Sequence, residues 1–339
     1  MPLIGVVVYA RLISGLMKVS CNRLSSDERR GEIYIGEINK LMSDVLTQLS
    51  EDMAAAVDRA AASVVRVEGR RRMPATGIIH SADGIIISAN HVVERDDNVR
   101  VGLPDGSTAS AQVIGRDPST DLAVLRVNAS GLTPANWDLN KAARVGHLVL
   151  ALGRPEATVQ ATLGVISALG EGWRTAMGGM IDHYVQTDVT MYPGFSGGPL
   201  LSASGYFVGL NSSALARGVS VTIPAVTIAR VAGTLVQHGR VKQGYLGVSA
   251  QPVRLPSAVA QQLNQETGLM LIAVEDGSPA ADGGLTMGDT LVAMDGQAVR
   301  MMDDLMGMLS GDRVGKSVPV TIVRGGATHQ MSVTVGERS

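Results

Sequence analysis

One segment of this chain is built for covalent chemistry: Gly194-Phe195-Ser196-Gly197-Gly198-Pro199-Leu200, a serine bracketed by glycines. A serine hydroxyl is a weak nucleophile at neutral pH. It needs a base to take its proton, a third group to orient that base, and donors aimed where negative charge develops on the attacked carbonyl. The candidate base is His91, at the end of the apolar run Gly84-Ile85-Ile86-Ile87-Ser88-Ala89-Asn90-His91. The candidate orienting acid is Asp121, at the head of Asp121-Leu122-Ala123-Val124-Leu125. The order His, Asp, Ser along the chain is one of those in which this triad occurs.

The same GxSxG spacing also marks the nucleophile elbow of α/β-hydrolases, where a helix must leave the serine. Pro199 follows too closely for that helix, and Leu200-Leu201 with Tyr206-Phe207-Val208-Gly209-Leu210 read as a hairpin. An elbow enzyme also places its histidine after the serine, where this chain has only His238 and His329. His80, His147 and His183 lack a comparable setting and read as structural or exposed. Asp117 reads as a turn residue, and Asp188 as a brace for the serine loop.

Other chemistries find little support. Six scattered histidines and one cysteine offer no metal site, and no glycine loop has the spacing of a nucleotide cradle. No cofactor is expected. A net charge of −2 gives no field to draw nucleic acid, and two Trp, two Phe and six Tyr are too few for a base-stacking surface. Arg70-Arg71-Arg72 reads as a solvated turn. Cys21, the lone cysteine, excludes an internal disulfide. Met1–Met17 is apolar but interrupted by Arg11, and fits neither a membrane helix nor a clean signal peptide. The expectation is a soluble protein.

The elements that must position these groups are mostly short strands. Ser63–Val67, Thr76–His80, Gly84–Ser88, Val99–Leu103, Ala109–Gly115 and Leu122–Val127 are apolar runs separated by turn residues. A second set comprises Val145–Leu152, Thr158–Leu169, His183–Thr187, Phe207–Ser212 and Val219–Ile223. Ser43 is expected to cap a helix carrying Leu46, Leu49, Met53, Val57 and Ala60 on one stripe. Ala225–Gly239 reads as another, with Gly239 as terminator.

The segments SANHVV, TDLAVLRV and GFSGGPL, with Gly153-Arg154-Pro155, Gln186-Thr187-Asp188 and Gly244-Tyr245-Leu246-Gly247-Val248, resemble the HtrA (Deg) family of trypsin-like serine proteases that carry PDZ domains. The resemblance covers roughly residues 55–337. It implies a mainly β fold, two six-stranded barrels with the catalytic groups at their junction, followed by an α+β PDZ domain. Domain limits of 1–42 for an N-terminal extension, 43–240 for the protease and 241–339 for the PDZ domain follow. It implies an oxyanion hole from the N–H groups of Gly194 and Ser196, shaped by the peptide of Phe195. Phe195 departs from the family, which usually has asparagine there.

In trypsin-like folds the residue six before the nucleophile lies at the base of the primary pocket; here it is Thr190, with Val219, Val221 and Ile223 expected along the wall. With no carboxylate among them, cleavage is expected after small or medium aliphatic residues. Tyr245, Leu246, Gly247 and Val248 are the expected PDZ carboxylate loop, faced by Met302, Leu305, Met306 and Leu309. Unfolded proteins as substrates, C-terminal peptides at the PDZ groove, a homotrimer and an extracytoplasmic setting are further implications. The alternative is a weakly active or inactive peptide-binding or chaperone module, motivated by Phe195. A protease idle until a peptide orders its loop is a third.

Overall fold

The computed structural model describes residues 28–71, 73–138, 143–216, 218–242, 244–309 and 313–337. Arg11, Lys18, Cys21, Arg72 and most of the expected 1–42 extension lie outside the described residues. Two compact units divide at residues 52 and 53. Helix α1 (Glu28–Ala61) runs across that division. Ser43 does not cap it: the helix begins upstream at Glu28, and Ser43 sits exposed within it. In the first unit Leu46 and Leu49 are exposed, at 62% and 40%. In the second, Ala56 and Ala60 are buried, and Met53 and Val57 pack on the core.

Twelve strands of the second unit form two closed barrels. The first contains β1 (Val64–Glu68), β2 (Ala75–Ile79), β3 (Ile85–Ala89), β4 (Val99–Gly102), β5 (Thr108–Asp117) and β6 (Leu122–Val127), in the order β1-β2-β3-β6-β5-β4. Branched residues suit this pleated surface. Ile78, Ile79, Ile86, Ile87, Leu122 and Leu125 are fully buried there, each worth about 1.5–3 kcal/mol of transfer free energy.

Strands β7 (Leu148–Gly153) and β8 (Gln160–Gly170) begin the second barrel, and the hairpin β9 (Trp173–Arg174) and β10 (Met180–Ile181) projects from it. Strands β11 (Tyr184–Thr187), β12 (Pro199–Ser202), β13 (Phe207–Ser212) and β14 (Ser220–Pro224) complete it, in the order β11-β14-β13-β12-β7-β8. The expected strands are present, with small shifts at their ends. Val145 is 61% exposed and lies before β7, whose continuous buried run starts only at Val149. Helix α2 (Ala225–His238) packs Ile228, Val231, Ala232 and Leu235 into the core, and ends where Gly239 adopts φ 73° and donates to Leu235 O.

The C-terminal part has its own core, including Leu246, Leu269, Leu291, Met294, Leu305, Val320 and Ile322. Strands β15 (Gly244–Tyr245), β16 (Val248–Arg254), β17 (Thr267–Val274), β18 (Thr290–Met294), β19 (Gln297–Ala298), β20 (Ser317–Arg324), β21 (Ala327–Thr334) and β22 (Gly336–Glu337) are joined by helices α3 (Ser257–Leu263), α4 (Pro279–Asp282) and α5 (Met302–Met308). The main sheet runs β16-β17-β18-β20-β21, with β19 beside β18, while β15 pairs with β22.

Asp289 anchors this sheet. Its side chain is 1% exposed and accepts from Arg324 Nε at 2.6 Å, Arg324 Nη2 at 2.7 Å and Thr286 N–H at 2.8 Å. Burial pushes its carboxyl up, but the guanidinium and the Thr286 N–H outweigh burial and leave it below the ordinary value of 3.8. A carboxylate with a depressed folded pKa stabilises fully above its unfolded pKa, and that stability disappears as pH falls through the folded value. In urea titrations of the full chain, Arg324→Ala should therefore lower the midpoint at neutral pH. The gap from wild type should persist above about pH 5 and close below about pH 4.

Candidate active site

Three elements bring the chemistry-bearing groups together. His91 lies in a short 3-10 turn, Asn90–Val92, that caps β3. Asp121 immediately precedes β6 and has φ 58°, a left-handed conformation unusual for a side chain. The turn before it holds that conformation. Asp117, 2% exposed, accepts from Ser119 N–H at 3.0 Å, Ser119 Oγ at 2.5 Å and Thr120 Oγ1 at 2.6 Å. Asn90 N–H donates to Asp121 O at 3.0 Å, locking the two turns together.

Asp121 is 4% exposed, and three donors converge on its carboxylate. His91 N–H reaches Oδ1 at 2.9 Å, His91 Nδ1–H reaches Oδ2 at 2.8 Å, and Ser212 Oγ reaches Oδ2 at 2.5 Å. The carboxylate thereby selects the tautomer with its proton on Nδ1 and leaves Nε2 as the acceptor. Ser212 ends β13, so the last of these bonds joins the two barrels.

Ser196 enters the same seam from the second barrel. Its Oγ lies 3.0 Å from Ser213 Oγ, which lies 3.5 Å from His91 Nε2. Among the described residues no direct hydrogen bond joins Ser196 Oγ to His91 Nε2; the Ser213 hydroxyl stands between them. A χ1 rotation of Ser196 between staggered wells changes that partner without backbone movement.

The loop before Ser196 is a tight turn. Phe195 N–H donates to Tyr192 O at 3.0 Å, with Pro193 and Gly194 as the central residues and Gly194 at φ 90°. This is the type II arrangement, which favours proline first and requires a residue tolerant of positive φ second. The N–H groups of Gly194 and Ser196 donate to no acceptor among the described residues. Thr76 on β2 ties the loop down: its Oγ1 donates to Gly194 O at 2.6 Å and accepts Arg154 N–H at 2.8 Å, and its N–H reaches Ser196 O at 3.3 Å. Gly197, at φ 87°, has no room for a Cβ against the Thr76 and Ser88 oxygens.

The expected substrate pocket is only partly open. Thr190 is exposed, and its carbonyl accepts from Thr162 Oγ1 at 2.9 Å. Val219 lies before β14 and is 36% exposed. Val221 and Ile223 are sealed, at 1% and 0%, and Ile223 packs in the core with Ile228 and Leu210. Asp188 Oδ1 accepts Val165 N–H at 2.6 Å, so it braces β8 and not the serine loop.

A cleft of about 410 Å³ runs beside the C-terminal domain. It is lined by Tyr245, Leu246, Gly247 and Val248, by Met302, Leu305, Met306 and Leu309, and across from them by Arg174 and Arg230. Leu246 O and Gly247 O accept from Ala280 and Glu275 N–H, whereas the N–H groups of Leu246 and Gly247 have no acceptor among the described residues. Leu305, 1% exposed, is part of the domain core that floors the cleft. Among the described residues no cluster could hold a metal ion.

Residues 75–210 match the trypsin-like peptidase domain, and residues 244–335 match the PDZ domain. A probable periplasmic serine endoprotease, DegP-like, of Pseudomonas putida is 35% identical over 267 residues, covering 77% of this chain and 55% of the relative. Its counterpart in Chlamydia trachomatis is 34% identical over 278 residues, covering 80% and 55%. The chain thus spans about half the length of these curated relatives. Among solved structures, the serine endoprotease from Yersinia pestis superposes with a TM-score of 0.70 at 29% identity, covering 84% of this chain and 97% of that one. The HtrA-type protease AlgW with a tripeptide gives a TM-score of 0.68 at 31% identity, covering 85% and 97%.

Thr76, Ser212 and Ser213 escaped the sequence reading. None has a motif of its own, and the only signal was a pair of serines at the end of β13, Ser212 within it and Ser213 just beyond. Ser212→Ala removes a donor from a buried carboxylate and should cost about 1.5–3 kcal/mol. Urea denaturation of the full chain should show that loss, and an unchanged midpoint would contradict the bond.

Proposed function

The chain belongs to the HtrA family of serine endoproteases, with a trypsin-like domain and a single PDZ domain, and from that premise we propose that it is itself a serine endopeptidase using Ser196, His91 and Asp121. The observation that carries the proposal is the convergence at one seam of the His91–Asp121 pair, the Ser196 hydroxyl and two unengaged N–H groups.

Ser196 Oγ bonds to the scissile carbonyl carbon as its proton passes to His91 Nε2. Asp121 holds Nδ1–H and stabilises the imidazolium. The carbonyl oxygen becomes an oxyanion that accepts from Gly194 and Ser196 N–H; loss of one such donor raises the barrier by about 2.7–4 kcal/mol. The C–N bond then breaks, and His91 delivers its proton to the departing amine. Water repeats the sequence on the acyl-enzyme, with His91 again as base. Neither N–H group has an acceptor among the described residues, which favours this reading over an inert peptide-binding module.

Unfolded proteins are the proposed substrates, with C-terminal peptides added as a strand at Tyr245, Leu246, Gly247 and Val248. The domain limits 43–240 and 241–339 are part of the proposal; the matched regions 75–210 and 244–335 lie inside them. Assembly as a homotrimer belongs to the same proposal. An extracytoplasmic setting follows the periplasmic relatives; among the described residues no helix is long and apolar enough to cross a membrane.

A fluorophosphonate probe should label the wild type and leave Ser196→Ala unlabelled, while casein digestion stops in the variant. Equal inertness of both proteins would favour the peptide-binding alternative. Asp121→Asn should lower kcat by about 10⁴-fold, because the wrong imidazole tautomer then faces Ser196. A peptide library should return small or medium aliphatic residues before the cleaved bond, and a strong preference for Lys or Arg would refute the pocket assignment at Thr190 and Val219.

A further inference from the structure

Phe195 separates the two residues whose N–H groups the proposed mechanism uses, and a phenyl ring has no chemical part in the reaction. Its ring is nevertheless 0% exposed. It fills the core of the second barrel among Val149, Ala151, Ile166, Val185 and Leu200. Tyr192 meets it edge to face, with centroids 5.7 Å apart. On its other side lies Gly153, the last residue of β7. A Cβ at Gly153 would stand 2.8 Å from both Cγ and Cε1 of the ring and closer still to Cδ1. Gly153 is thus the notch that admits the ring.

This seat constrains the backbone on both sides. The Pro193–Gly194 turn is closed by a single hydrogen bond, Phe195 N–H to Tyr192 O. A glycine at its centre gives the loop many alternative conformations. The Gly194 N–H belongs to the Pro193–Gly194 peptide and the Ser196 N–H to the Phe195–Ser196 peptide. A displaced Phe195 Cα would break the bond from Phe195 N–H to Tyr192 O and free both peptides to rotate, whereas a ring seated in a close-packed interior fixes that Cα. We propose that Phe195 is a positioning residue: its ring, seated against Gly153, keeps the Gly194 and Ser196 N–H groups free of internal acceptors and available to a substrate oxygen whether or not a peptide occupies the C-terminal cleft. The kinetic consequences rest on the endopeptidase reading; the anchoring itself does not. An asparagine at this position would bury an amide among aliphatic side chains, so it would not substitute for the ring.

Hydrogen exchange by mass spectrometry across residues 190–198 of the full chain, paired with kinetics, tests the assignment. Phe195→Ala should speed exchange at the Phe195 and Gly198 amides at least about tenfold, with β7 and β13 still protected. Its kcat should fall by about 10²–10³-fold, the cost of a misplaced oxyanion donor, while KM stays nearly constant. Phe195→Leu should recover most of both properties, and Phe195→Asn should behave like Phe195→Ala. Should Phe195→Ala not fold, Phe195→Val supplies the same comparison. A decapeptide with an apolar free C-terminus should change the wild-type kcat by less than about twofold, since the loop is already ordered. Wild-type exchange in Phe195→Ala, or strong activation of the wild type by the decapeptide, would overturn the proposal. A protected loop in a wild type that no fluorophosphonate labels would instead sink the endopeptidase reading and leave the anchor standing.

Discussion

The carboxylate of Asp121 is where the two barrels are stitched together around the proposed catalytic centre. Two of its donors come from His91 in the first barrel and the third from Ser212 in the second. At 4% exposure the carboxylate has little water to replace a missing partner. Any slip of one barrel against the other therefore leaves a buried polar group unpaired, which is costly in a low-dielectric interior. The second stitch runs the opposite way, from Thr76 on the first barrel to Gly194 and Ser196 on the loop of the second. Between them, His91, Asp121, Ser196 and the Gly194 loop share one hydrogen-bonded frame.

That frame stores strain where it is useful. Asp121 holds a left-handed backbone, a conformation that costs of order 1–3 kcal/mol at a non-glycine residue. The buried Asp117 network and the Asn90 N–H bond offset this cost. The turn from Asp117 to Asp121 is also gripped by the β9–β10 hairpin: Thr175 Oγ1 donates to Ser119 O at 2.6 Å, and Gly179 packs on the Ser119 backbone. The same hairpin contributes Arg174, Gly178 and Met180 to the wall of the C-terminal cleft. A continuous path of packed groups thus connects that cleft with the residue that orients His91.

Phe195 illustrates how a departure from a family pattern can change meaning once its surroundings are known. Read in the chain, it is a lost polar side chain beside a nucleophile. In the fold, the ring is a fully buried member of the second barrel core. The loop's polar ties come from Thr76, a residue far away in sequence.

Strand periodicity, glycine turns and the helix stop at Gly239 were legible in the sequence because they are local: alternation, positive φ and capping each depend on a few neighbouring residues. His91, Asp121 and Ser196 stood out by type, order and position at the ends of apolar runs. The roles of Thr76, Ser212 and Ser213 emerged only when distant strands closed into barrels, since a lone hydroxyl gives no hint of which carboxylate or carbonyl it will meet. The burial of Val221 and Ile223 likewise depended on how β14 was enclosed by the barrel and by helix α2. Local chemistry named the candidates, and barrel closure decided their partners, because the bonds between them join residues that only the tertiary fold brings within reach.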